Sequence, residues 1–554
     1  MRTRAAVAGS TVILVTAMLL VTTDSAPGAI GGTVVGESGN PIAGAVVRIK
    51  GTPVAVTTGA DGGFRLPASG PAPITAWAPE HYIGGGDRVA PGDSIEIALH
   101  RIPGVDDPGY GWLSVESGGA GEDQGCAACH RAGALNPGFS LPVDQWEQDA
   151  HGAAASNPRF LSMYLGTDLD GNRSPPTRFA ANRDYGRIPI RPDPSLPYFG
   201  PGYRLDFPDT AGNCAACHLP VAAVGDPYGV DPSRVDGVAL EGIACDFCHK
   251  VASIRLDPET AMPDPGMPGV LSIELRRPPE GHQYFAGPFD DVAPGEDVFS
   301  SLQTESAFCA ACHFGVFWDT VVYDSYGEWL RSPYSDPDTG RTCQNCHMPV
   351  HGGNRFALEE AGGIRRDPDT LHSHLMPGAS DPDLLGAAVT LAAGADLDGG
   401  EIEVEVTITN DQTGHHVPTD SPLRHLILLV DARAASGEPL TQTGGPVLPA
   451  WCGVGEPATG HYAGLPGTAY AKVLEELWTE VSPTGAYWNP TRLISDNRIP
   501  ALGVSQTSYR FEAPQGGATV EIVLLYRRAF IDLAEQKGWQ LRDISMERLV
   551  LTAG

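Results

Sequence analysis

Residues 240–251 read LEGIACDFCHKV. Cys245 and Cys248 stand three apart, and His249 follows the second directly. In a helical turn, residues i and i+3 share one side, so two thiols can bond one flat cofactor while the next side chain turns toward its centre. C-x-x-C-H is the attachment pattern for c-type haem, the thiols taking two vinyl groups and the imidazole taking the iron. C-x-x-C alone serves zinc sites and short disulfides as well, so the histidine carries the distinction.

The pattern occurs five times: Cys126, Cys129 and His130; Cys214, Cys217 and His218; Cys245, Cys248 and His249; Cys309, Cys312 and His313; Cys343, Cys346 and His347. With 16 His in 554 residues, five of five pairs followed by His by chance has odds on the order of one in ten million or less. The reading is five covalently attached haem c groups. Ten of the 11 cysteines are thereby used, and Cys452 is left as a small buried or free thiol.

Each iron needs a second axial side chain or an open face. Among the histidines outside the motifs, His81 and His100 precede every motif and read as ordinary surface residues. His151 sits in a short helical reading, VDQWEQDAHGAAASNPRF, that presents it rigidly. His282 in EGHQYFAGP, His372 and His374 in LHSHLMPG, and His415 and His416 in TGHHVPT have Gly- and Pro-rich settings that permit close approach to a flat group. His351 follows His347 by four residues and serves a neighbouring haem or none, and His425 in RHLILLV reads as a core histidine. His461 is a further candidate, while Met348 and Met376 read as packing. The ligand set chosen is the five motif histidines with His151, His282, His374 and His415.

Five motifs, the stretch W-x-x-x-x-H-G-x-x-x-x-N-P-R-F around His151, CQNCHMP at Cys343–Pro349 and GHHVPT at Gly414–Thr419 resemble the multihaem c-type cytochromes related to the tetrahaem electron carrier of nitrifying bacteria. That lineage is shared with octahaem nitrogen and sulfur oxyanion reductases. The resemblance covers about residues 110–435 and implies distal ligands at His151, His374 and His415. Five haems is an unusual count for the group, and no C-x-x-C-K variant is present.

Outward from the motifs, the chain divides into five expected parts. Arg2 and Arg4 before an uncharged run from Ala5 to Thr23 mark residues 1–29 as an export signal, with an uncleaved membrane anchor as the rival. Residues 30–102 alternate in short strands, and GNPIAGAVVRI followed by TTGADGGFRLP resembles the carboxypeptidase-regulatory-like β-sandwich. Residues 103–125 read as a linker, 126–385 as a pentahaem cytochrome c domain, and 386–554 as a β-rich domain that contributes a haem ligand. The fold class is therefore multidomain: a small N-terminal β-sandwich, a central, largely irregular and helical haem domain, and a C-terminal β-sandwich-like domain. AKVLEELWTEV and RAFIDLAEQKG read as helices interrupting that last domain. Gaps of 88, 31, 64 and 34 residues between successive first cysteines predict that the second and third haems, and the fourth and fifth, pair closely.

A formal net charge of −31, from 36 Lys and Arg against 67 Asp and Glu, excludes nucleic-acid binding and favours redox partners with a cationic docking surface. The function expected is periplasmic or extracellular electron transfer through closely packed, mostly bis-His haems, with no catalytic residue assigned. One alternative is an oxidoreductase with one open haem acting on a small nitrogen or sulfur compound, in which Lys250 or Arg424 would stabilise charge. Another is a self-assembling filament or surface subunit for extracellular electron transfer, which the N-terminal sandwich would suit.

Overall fold

A computed structural model of the chain describes residues 28–117, 125–133 and 140–553. Almost all of the expected export signal lies outside them; Gly28 and Ala29 already belong to the first strand, Gly28–Gly36. The described chain is β-rich, and its helices are short, none longer than the eight residues of Pro158–Leu165. No helix among the described residues is long and apolar enough to cross a membrane.

The N-terminal unit is a two-sheet sandwich. Strand Gly28–Gly36 lies between Gly63–Ala68, antiparallel, and Ser94–Leu99, parallel. The facing sheet runs in the order Ala55–Thr57, Val46–Ile49, Ala72–Trp77, Gly84–Val89. Period-two patterning fixes which side chains enter: along GFRLPA, Phe64, Leu66 and Ala68 are buried while Arg65 and Pro67 are exposed. They meet Ile30, Val34, Val47, Ile74 and Leu99 in one core, each large aliphatic contributing about 2 kcal/mol through burial. The unit is docked, not tethered. Arg48 forks onto Asp290 at 2.6 and 2.9 Å, the Gly51 amide donates to Asp291 at 2.6 Å, and Tyr82 and Ile102 bury against Tyr284, Ala286 and Val298.

Residues 103–117, expected as loose linker, are pinned along the third motif. Asp106 accepts from the Arg277 guanidinium, the Leu113 amide donates to Asp246 at 2.9 Å, and Ser114 and Val115 donate to Glu241. Beyond them the central region is irregular, with single helical turns and two-stranded ribbons. The helical character read from the sequence reduces mostly to such turns, five of which are the motifs themselves.

The C-terminal unit is a second sandwich. One sheet has the order Thr390–Asp398, Glu401–Thr409, Val504–Glu512, Gln442–Gly444, and the other Thr491–Asp496, Gly467–Glu476, His425–Ala434, Ala518–Arg527, Ile544–Ala553. Ile402, Val404, Val406 and Ile408 project from one face onto Leu426, Leu428, Ile522 and Leu524 of the other. AKVLEELWTEV is not a helix: Ala471–Glu476 ends the strand Gly467–Glu476, whose first half pairs with His425–Ala434 and whose second half pairs with Thr491–Asp496. Its apolar residues satisfied a helical period, but burial on both faces of an inner strand imposes no alternation that would have revealed it. RAFIDLAEQKG does contain a helix, Ile531–Gln536, followed by Gly538 at φ +67°. The Lys537 ammonium donates to the carbonyls of Ser162, Thr167 and Pro201, and Trp539 donates to Ser162, so this helix end clamps the second sandwich onto the central region.

Candidate haem-binding site

In each motif the two cysteines bracket one helical turn, and all ten thiols are free and partly accessible. Three motif imidazoles are held alike: Nδ1 of His130, His249 and His347 lies 2.7 Å from the carbonyls of Phe356, Ala286 and Pro377. A carbonyl only accepts, so Nδ1 must carry the proton and Nε2 is left with a free lone pair, the state a metal requires. Burial lowers the pKa of His130 and His249, only partly opposed by those carbonyls, which keeps the rings neutral. His218 and His313 depart from this scheme. The His218 ring is stacked parallel on Phe160 with centroids 4.0 Å apart, and Nδ1 of His313 faces the Asp420 carboxylate at 3.8 Å.

Two of the expected ligands face motif histidines. The His151 and His313 rings have centroids 6.2 Å apart, and so do His415 and His347. An iron with bonds of about 2 Å to one nitrogen on either side spaces two imidazole centroids by about 6 Å, so the separation fits one metal between each pair. His151 is held by Asp149, whose Oδ2 lies 2.7 Å from Nδ1 and accepts from the His151 amide at 3.0 Å. Burial works to lower the His151 pKa, but the Asp149 hydrogen bond and charge together raise it. His415 directs Nδ1 to the His416 carbonyl at 2.9 Å, and burial lowers its pKa.

His374 lies beside both His249 and His130, its pKa pushed down to about 3 by burial first and then by those rings and His351. Its Nδ1 is buried without a hydrogen-bond partner. His351 and His372 stand close by, His372 directing Nδ1 to the Met348 carbonyl at 2.6 Å. Three rings therefore gather around the first and third motifs.

His282, chosen from the sequence as a ligand, is exposed in a turn on Pro279 and is not brought to any motif histidine. Its Gly-rich setting signalled a turn and nothing more. His416 is engaged with Glu328 at 3.3 Å, His461 with Glu535 at 3.1 Å, and His425 is buried against Trp451 and Phe530. Cys452 is fully buried. Sequence reasoning passed over Asp149 and Asp420, although QDAH places the first two residues before a chosen ligand and PTD places the second directly after GHHVPT.

The structure brings together the fourth and fifth motifs, as the gaps predicted, and adds contacts that the gaps did not show. Thiol contacts join Cys126 to Cys245, Cys217 to Cys312, and Cys309 to Cys343. The first motif thus abuts the third, and the fourth abuts both the second and the fifth. Gln303, just before the fourth motif, donates to the Cys248 carbonyl at 3.2 Å, while the Cys343 amide donates to Ser306 at 2.9 Å. The second and third motifs, only 31 residues apart, meet through Val221 packed with Ala244, Phe247 and Val251, without a thiol contact. Residues 269–272 also bring the second to the fourth: the Gly269 amide donates to the Ala311 carbonyl at 2.7 Å. At φ +59°, a Cβ on Gly269 would stand 2.2 Å from the Ala216 carbonyl oxygen and 2.9 Å from Cys217 Sγ, so glycine is required there.

Among the described residues no three His, Cys, Asp or Glu side chains converge on one point as a zinc site needs. An iron porphyrin asks the protein for two axial side chains and two thiols, and the paired rings over C-x-x-C turns fit that demand.

Residues 29–93 match the carboxypeptidase regulatory-like domain family. No curated protein matches the sequence. PapD-like domain 7 of human CEP192 aligns with 10% identity over 32% of this chain and 89% of that one, at a TM-score of 0.12, too low for a shared fold. The crystal structure of a penta-haem cytochrome c552 from Thermochromatium tepidum aligns with 18% identity over 77% of this chain and 97% of that one, at a TM-score of 0.51. The chain therefore carries an N-terminal carboxypeptidase regulatory-like segment, and over 77% of its length shares the fold of a penta-haem cytochrome.

Proposed function

We propose that this chain is an exported pentahaem c-type cytochrome that transfers electrons, with haem c bound at each C-x-x-C-H motif. Covalently held iron porphyrins supply reversible one-electron chemistry; the chain holds them, sets their ligands and excludes water. The observation that carries the reading is the pair of imidazole couples, His151 with His313 and His415 with His347, each at 6.2 Å. The nearness of His374 to His249 and His130, with His351 and His372 close by, supports ligands for the first and third motifs from this group.

Thiol contacts between first and third, second and fourth, and fourth and fifth motifs, with the Gln303 bond to the Cys248 carbonyl between third and fourth, support a relay in the order first, third, fourth, fifth, with the second joined to the fourth. The fourth motif is then the branch point. Residues 30–102 form a spacer or docking module, 126–385 the haem body and 386–554 the sandwich that closes it. A net charge of −31 suits docking to a cationic face of a redox partner outside the cytoplasm.

The test is the mature protein produced in a host competent for cytochrome maturation. Five haems per chain by pyridine haemochrome assay and intact mass, with low-spin spectra dominated by bis-imidazole iron, are expected. A chain that leaves that host without attached porphyrin refutes the proposal.

A further inference from the structure

A column of side chains runs from the first motif to the N-terminal sandwich. The Phe356 carbonyl faces Nδ1 of His130 at 2.7 Å, and the Phe356 ring stacks on the same imidazole with centroids 6.1 Å apart and planes 12° apart. Phe289 stacks in turn on Phe356, with centroids 5.8 Å apart and planes 8° apart. The Arg366 guanidinium lies over both phenyl rings, 4.3 Å from the Phe289 centroid and 5.5 Å from that of Phe356, a favourable seat for a cation. The backbone ties the same segment down: the Leu358 amide donates to the Cys129 carbonyl and the Arg366 amide to the Asn354 carbonyl, each at 2.8 Å.

Arg366 is a buried cation beside a buried anion. Its side chain is 5% exposed and pairs at 2.7 Å with Asp291, which is 2% exposed. The anion is seated by the N-terminal sandwich. The Gly51 amide donates to Asp291 at 2.6 Å, Lys50 lies in the field of both Asp291 and Arg366, and Arg48 forks onto the adjoining Asp290. The approach is close: at φ +79°, a Cβ on Gly51 would stand 2.8 Å from Ile364 Cδ1 and 3.2 Å from the Arg365 carbonyl oxygen. Residues 289–291 therefore offer carboxylates to the sandwich and a phenyl ring to the column behind His130.

We infer that Arg366 and Asp291 set the reduction potential of the iron held at the first motif, and that docking of the N-terminal sandwich on Asp291 keeps the two charges in balance. The inference rests on the haem reading above. Taken end to end, the ring separations place the guanidinium within about 12 Å of the His130 ring, where an unopposed charge at an effective dielectric of about 20 changes a one-electron equilibrium by about fivefold to tenfold. A cation favours ferrous iron and an anion favours ferric. Held 2.7 Å apart, the two charges nearly cancel at that range, and removing either one leaves the other unopposed. The first motif is one end of the proposed relay, so its potential governs electron exchange with a partner there, and the sandwich becomes part of that control.

The experiment is a spectroelectrochemical titration of the full-length five-haem protein, with electron paramagnetic resonance to establish that the low-spin axial ligation is kept. Arg366→Gln should shift one component of five toward ferric by about fivefold to tenfold, a fall of about 40 to 60 mV. Asp291→Asn should shift the same component by a similar factor in the opposite direction, and the double variant should return it near its starting value. Lys50→Gln, on the sandwich side, should lower it by about twofold. Loosened packing has no sign tied to charge, so components that stay in place, or that move in the same direction in both single variants, overturn the inference and leave the cytochrome reading standing. Should Arg366→Gln fail to fold, the near-isosteric Asp291→Asn decides: an upward shift supports the inference, and a component unmoved or lowered overturns it. Opposite shifts with Lys50→Gln unmoved overturn the part given to the sandwich; a chain without haem overturns both readings.

Discussion

Replacing Asp149 with Asn isolates one charge at the branch point of the proposed relay. The Asp149 carboxylate is 2% exposed, and its Oδ2 lies 2.7 Å from Nδ1 of His151. An asparagine oxygen accepts the same hydrogen bond, so the ring stays in place and only the negative charge is lost. Setting the iron midway between the His151 and His313 rings leaves that charge about 7 Å away, and at an effective dielectric of about 20 the interaction is about 2.4 kcal/mol. For a one-electron couple this is about 100 mV, since a tenfold change in equilibrium is about 59 mV. The carboxylate favours ferric over ferrous iron, so its removal raises the potential. A spectroelectrochemical titration of the D149N protein should show one component of five moving upward by about 100 mV, the rest moving by much less. If low-spin spectra establish that His151 still ligates and no component moves by more than about 20 mV, the placement of Asp149 behind the fourth haem's ligand is wrong.

Further consequences are open to direct measurement. His415→Ala removes the ring facing His347 and should raise carbon monoxide binding by one per chain, whereas His282→Ala should leave ligand binding and potentials unchanged. Lys537→Met strands three carbonyl acceptors, those of Ser162, Thr167 and Pro201, and should destabilise the docking of the C-terminal sandwich by about 3 kcal/mol in denaturant titration. Burial raises the Asp297 carboxyl to about 6, so the folded state binds a proton there that the unfolded chain has released. This favours the fold below about pH 4 and is lost as pH rises through about 6. Asp297→Asn should therefore flatten that fall and raise stability at neutral pH by about 2 kcal/mol, read as melting temperature against pH.

The C-x-x-C-H turns and both sandwiches were legible because each rests on a local rule. C-x-x-C-H needs only four helical dihedrals to present its groups, and the alternation of Ile402, Val404, Val406 and Ile408 names its inward face without reference to a partner. Ligand pairing obeys no local rule: His282 and His374 occupy equally turn-rich stretches, and only the fold carries one to His249 and leaves the other in solvent. The first–third and second–fourth contacts escaped the sequence for the same reason, although the expected fourth–fifth pair is met. Sequence gaps measure chain length, but Gly269 folds the segment after the third motif back so that the second meets the fourth. The strand Gly467–Glu476 was mistaken for a helix because a twice-buried strand shows no period of its own.

The two sandwiches flank the same central region but stand in different relations to it. The N-terminal one contacts the central region through Arg48, Gly51 and the Tyr82 cluster, and contributes none of the side chains assigned around the motifs. The C-terminal half supplies His415 opposite His347, and Asp420 beside His313 with Arg424 paired to it at 3.5 Å. A chain lacking residues 30–102 should accordingly retain five haems with unchanged axial ligation, as judged by its low-spin signals. One ending at residue 385 should lose the fifth haem's second ligand and the carboxylate behind the fourth together. The thiols would still be attached, because maturation reads the C-x-x-C-H turns, and the fourth motif would keep His151 and His313, but His347 would lose its facing ring at one end of the relay. Equal spectra for the two truncations would mean that the residues from 410 to 424 do not reach the haems, and the electron path drawn through the fourth motif would fall with them.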